Sequence, residues 1–131
     1  MQNKIAIQIN HERTIYLVEE WTTTGGLVAR VHYMIWNEGV KALAPSLFDY
    51  YTGYVRLPDG ETLDKEAEEN LQVRGGVTFT GDFPAELKID GNWVGFDMNH
   101  AFDSAEGQSV ELAKAECEKL AEQLRIYGYS K

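Results

Sequence analysis

Cysteine is almost missing from this sequence. Cys117 stands alone, which excludes an internal disulfide and leaves no cysteine spacing for a metal site. Basic residues are scarce as well. Twelve Lys and Arg against 21 Asp and Glu give a formal charge of −9, and no basic run occurs. The clustered cations that neutralise nucleic-acid phosphates are therefore lacking, and no nucleic-acid partner is expected. No stretch approaches the roughly 20 consecutive apolar residues that cross a bilayer, so no membrane partner is expected either. Residues 1–9 alternate polar and apolar side chains and lack the continuous apolar block of a signal peptide, which makes the cytoplasm the expected location. No internal repeat, low-complexity tract or linker interrupts the chain, and 131 residues suit a single domain spanning 1–131.

What the chain does have is hydrophobic patterning of two periods. Ile5, Ile7 and Ile9 alternate, a polar turn over 10–13 follows, and Ile15 and Leu17 resume, which reads as a hairpin. After the Gly25-Gly26 break, 27–36 has a strict period of two. Leu27, Ala29, Val31, Tyr33 and Ile35 share one face, and Val28, Arg30, His32, Met34 and Trp36 share the other. Arg30 and His32 could line a concave site or sit as a surface pair. Residues 37–51 are irregular, with room for a helical turn within 41–49 and an aromatic run over 46–51. A short strand over 54–57 ends at the Pro58-Asp59-Gly60 turn, and acidic 61–70 reads as a loop or a short exposed helix. Leu71–Thr80 reads as strand, Gly-Gly break, strand. Segments 87–89 and 93–96 around Asp90-Gly91-Asn92 carry a hairpin signal.

The clearest element is the last. Ser109 is a plausible N-cap; Val110, Ala113, Cys117, Leu120, Ala121 and Leu124 then recur at helical spacing, and Gly128 is the stop. Cys117 lies on that apolar stripe, where a buried small hydrophobe is the simplest role. The whole reads as an α+β fold, mainly an antiparallel sheet with one long C-terminal helix packed on a face.

Two short stretches carry candidate chemistry. Asp97, His100 and Asp103 recur every third residue after an apolar strand. Two carboxylates and an imidazole converging on one turn would suit acid–base work or an oxygen- and nitrogen-liganded metal ion. The bland alternative is a turn whose carboxylates cap its own backbone, and no metal ion or cofactor is assigned. Arg74-Gly75-Gly76 is the second. Paired glycines allow close backbone approach, and an arginine fork matches phosphate or carboxylate; a tight turn is the commoner meaning of such a pair. The expectation is that both stretches meet at one concave spot beneath Trp93. Arg74, Gly75, Gly76, Trp93, Asp97, His100 and Arg56 would then be ligand-binding, and Asp97, His100 and Asp103 the candidates for any catalysis.

The runs Gly53–Pro58, Arg74–Phe79, Trp93–Asp103 and Ala115–Leu124 resemble a family of small phage and prophage proteins. Its pattern is Gly-Tyr-Val…His-Gly-Gly-Leu-Thr-Tyr…Trp-Trp-x-Gly-Phe-Asp-x-x-His-x-x-Asp, followed by a Glu- and Leu-rich terminal helix. The likeness spans 53–124. Arg74 stands where that pattern has histidine, and Asn92 where it has the first tryptophan; Gly75, Gly76, Trp93, Asp97, His100 and Asp103 match it. The resemblance implies an accessory protein acting against host defence, and it supplies no activity. Three functions follow as expectations: a non-catalytic, homo-oligomeric binder of a small polar or nucleotide-like ligand; a metal-assisted or acid–base hydrolase; or an acidic inhibitor that binds a basic protein through Glu66, Glu68 and Glu69.

Overall fold

The computed structural model describes residues 5–100 and 103–129. Six strands form one antiparallel sheet: β1 (Ile5–Ile9), β2 (Arg13–Thr22), β3 (Val28–Trp36), β4 (Tyr50–Arg56), β5 (Phe79–Gly81) and β6 (Trp93–Asp97), in spatial order β1-β2-β3-β4-β6-β5. Among the described residues three α-helices accompany it: α1 (Glu38–Leu43), α2 (Lys65–Asn70) and the long α3 (Val110–Ile126). The α+β architecture expected from the sequence is the one observed.

Alternation decides which face meets the helix. Ala29 pairs with Val55, Val31 with Gly53, Gly53 with Phe96 and Val55 with Val94, so these side chains share one face of the sheet. Against them α3 buries Ala113, Cys117, Leu120, Ala121 and Leu124, five members of its heptad-like stripe. Gly53 is what lets the layers approach: a Cβ there would overlap the Phe96 ring and crowd the Cys117 sulfur. Ser109 caps the helix by accepting from the Leu112 N–H at 3.1 Å. At the far end Gly128, at φ +100°, lets the N–H groups of residues 128 and 129 reach back to the carbonyls of Arg125 and Leu124. Burial pushes the Cys117 thiol up to about 12, the behaviour of an inert core group.

Two expected elements differ. Of Leu71–Thr80 only its end joins the sheet, because Leu71 and Val73 are buried in the core under α3 rather than aligned along a neighbouring strand. The hairpin around Asp90-Gly91-Asn92 does not form. Residues 85–87 make a 3-10 turn, and β6 finds its partners in β4 and β5 instead. The cause is Phe83, buried against Phe79, Tyr54 and Trp93, which draws the connection across the sheet's second face. Strand β4 also begins four residues earlier than expected, at Tyr50, since Tyr50 and Tyr51 pair with Met34 and Tyr33. The acidic segment 61–70 does contain a short helix, and Glu66, Glu68 and Glu69 are exposed.

Two substitutions check this packing by urea denaturation. Gly53→Ala lowers the unfolding free energy by about 1–3 kcal/mol through overpacking, and Ser109→Ala lowers it by about 1 kcal/mol through loss of the cap.

Candidate functional site

Register brings the two chemical stretches together. Phe79 pairs with Gly95 and Gly81 with Trp93, and the Thr78 N–H still donates to the Gly95 carbonyl at 2.9 Å. Continued backward, this antiparallel alignment sets Gly75 beside the turn that follows Asp97. There Gly75, at φ +73°, lies directly under the His100 ring, which fills the space a Cβ would need. Gly76, at φ +84°, closes a turn by donating to the Val73 carbonyl at 2.8 Å. Left-handed backbone at two consecutive positions is a conformation glycine alone adopts cheaply.

Arg74 is the hinge of the arrangement. Its Nη2 and Nε both donate to Oδ1 of Asp103, at 2.7 and 2.9 Å. The other oxygen, Oδ2, accepts the His100 backbone N–H at 3.0 Å, while the Asp103 N–H returns to the His100 carbonyl. The Asp103 side chain is 1% exposed, so a buried carboxylate is compensated by a guanidinium and a backbone donor together. Nδ1 of His100 stands 3.5 Å from both Asp97 Oδ1 and Asp103 Oδ2. Asp97 in turn accepts from the Asn99 N–H at 3.1 Å, so the turn is partly self-capped, as the bland reading had it. Among the described residues, no group of three or more His, Cys, Asp and Glu side chains is placed to hold a metal ion.

A depression of about 460 Å³ opens beside this corner, lined by Gln72, Val73, Arg74, Gly75, Glu116 and Lys119. Its helix-borne residues escaped the sequence reading. Glu116 and Gln123 lie on a polar flank of α3 and grip the preceding segment like a strand: Glu116 accepts the Arg74 N–H at 2.8 Å, and Gln123 both accepts from and donates to the Gln72 backbone at 2.7 Å. Polar residues at helical spacing beside the apolar stripe were the available signal, but helical spacing names no partner.

Trp93 and Arg56 do not join the site. A five-residue strand separates Trp93 from Asp97 by about 13 Å, and the indole is 2% exposed, donating to the Asp90 carbonyl at 2.9 Å. The expected spot beneath the tryptophan is therefore replaced by one at the other end of β6. Arg56 pairs in register with Trp93, packs over Gly91 and contacts Asp59 at 3.2 Å.

Arg30 and His32 do not line a concave site; they are buried on the sheet's second face. Arg30 bonds Glu20 at 2.7 Å and donates through Nε to His32 Nε2 at 3.0 Å. His32 lies against Tyr54 and Phe83, and the Arg30 guanidinium is 5.9 Å from the Trp93 ring. Burial first, and the neighbouring Arg30 charge second, push the imidazole from 6.5 down to about 3. Comparison with protein-family models, curated proteins and solved structures finds no match.

The two clusters make separate predictions. Folded His32 stays neutral while the unfolded chain takes up a proton near 6.5, so its contribution is intact above pH 6.5 and is lost as pH falls toward 3. In denaturation at stepped pH, wild type should lose up to about 1.4 kcal/mol per pH unit more than His32→Gln across that window. At the corner, Asp103→Leu or Arg74→Met alone should cost about 1.5–3 kcal/mol. The double variant should cost less than the two singles added, as a double-mutant cycle will read.

Proposed function

We propose that this chain is a non-catalytic binder of a small polar ligand carrying an anionic group, a nucleotide-like molecule being the first version to test. The observation that carries the reading is the depression at the Arg74–Gly75 corner. It sets the exposed Lys119 beside the partly exposed Arg74, whose guanidinium also holds Asp103, around left-handed glycine backbone, with the Glu116 carboxylate of the same lining engaged by the Arg74 N–H, in a chain whose formal charge is −9. An accessible cation is what an anion needs to approach an acidic protein, and glycine backbone permits its close approach. Stacking on Trp93 plays no part, since that ring is buried elsewhere.

The wider reading is a phage-type accessory protein that captures a defence signal in the host cytoplasm as a homo-oligomer. Supporting it is the resemblance over 53–124, whose glycines, aspartates and histidine fall on the corner just described. Among the described residues, no helix is long and apolar enough to cross a membrane.

A hydrolase reading draws on one observation, the 3.5 Å approach of His100 to two carboxylates. One of those carboxylates is already engaged by Arg74, which favours binding over proton transfer.

Isothermal calorimetry against nucleoside phosphates and cyclic dinucleotides tests the proposal. Binding should weaken about tenfold, or 1.4 kcal/mol, in Lys119→Ala, and should be unchanged in Glu68→Gln. Heat from no member of the panel would count decisively against it. Turnover of any member, lost in a folded His100→Ala variant, would move the assignment to the hydrolase.

A further inference from the structure

The two edges of the sheet are protected unequally. β5 is only three residues long and runs into Gly81, Asp82 and Pro84, features that stop a strand from being extended. β1 has no charged residue and no proline in Ile5–Ile9, and among the described residues no strand lies on its outer side. Ile5 is 62% and Ile9 74% exposed there. Its one irregularity is a bulge between Ala6 and Gln8.

We propose that a second copy of this chain pairs antiparallel along the outer edge of β1. This deepens the homo-oligomer of the proposed function and is independent of the anion-binding corner. Three features select a second copy. The edge is uncharged although the chain carries −9, so two acidic molecules can meet there without opposed carboxylates, while a basic partner would find no counter-charge. The edge also borders a small apolar cluster on the face away from α3, where Ile15, Met34 and Tyr50 are buried and Ile7 packs against them. Ile5, opposite Leu17, shares that face. Pairing with Ala6 opposite its own copy would set each Ile5 beside the other molecule's Ile7, adding apolar side chains from the second copy to that cluster. Finally, an isologous two-fold contact of this kind closes on itself and does not grow into a fibre.

In this register the described residues that pair are Ile5, Ala6 and Ile7 of each copy, about 10 Å of strand, which buries far less than the roughly 800 Å² per partner of a standard interface, so a weak, concentration-dependent dimer is expected. Sedimentation equilibrium between about 10 and 500 μM should show the mass rising from one chain toward two, and Ile5→Lys should hold it at one with an unchanged circular dichroism spectrum. Register is tested by mild oxidation. Ala6→Cys should form a symmetric disulfide, because directly opposed strand residues have Cα atoms about 4.5–5.5 Å apart, within disulfide range. Cys117 is fully buried and does not compete. Ala42→Cys, also at an exposed position, on α1, is the control and should cross-link far more slowly. A single-chain mass throughout, or equal cross-linking of the two cysteine variants, would overturn the proposal. Calorimetry on Ile5→Lys reads the anion site separately, so the failure of one reading is distinguishable from the failure of the other.

Discussion

Close contact between α3 and the centre of the sheet is the constraint on which the molecule depends. The helix lies over β3 and β4 at Gly53, where no side chain holds it away, and Phe96 and Cys117 occupy the space so released. Once that stripe is buried, the rotation of the helix is fixed. Its polar flank is then fixed too, and Glu116 and Gln123 fall where they can satisfy the backbone of Gln72 and Arg74. A segment with no sheet partner thereby has the Gln72 N–H and carbonyl and the Arg74 N–H paired by the helix. Packing of the core thus positions the polar corner.

The corner itself is a set of interlocking restraints. Arg74 neutralises Asp103, Asp103 holds the backbone of His100, and His100 covers Gly75, whose neighbour is Arg74. Two of these links, Arg74 to Asp103 and His100 to Gly75, join distant parts of the chain, and the local Asp103–His100 contact ties them together. The Arg74 guanidinium is only partly exposed, which leaves Lys119 as the cation most accessible from solvent at the depression.

The second face of the sheet follows a different logic. Arg30, His32 and Glu20 form a polar chain beneath Tyr54, Phe83 and Trp93. A neutral imidazole is required there, since its Nε2 accepts from an arginine, and burial keeps it neutral. This is a structural use for the pair of side chains that most resembled a binding site in the strand pattern.

The helix with its cap, stop and buried stripe, the two faces of β3, and the N-terminal hairpin were legible in the residues, because each depends on a local period or a local turn. Spacing of three also announced the Asp97–His100–Asp103 turn. Strand partners were not legible. The turn signal at Asp90-Gly91-Asn92 was locally sound and lost to the burial of Phe83, a contact between remote positions. Trp93 and Arg56 looked like ligand contacts because aromatic and cationic side chains often are; antiparallel register put them at the opposite end of β6 from the corner. Sequence alone therefore determined the long C-terminal helix, the alternation of the strands it read and which residues are chemically capable, while the first short helix lies at Glu38–Leu43 rather than within 41–49. Only the tertiary structure decided which of the capable ones meet, because register and helix rotation are set by packing between segments that local periodicity does not relate.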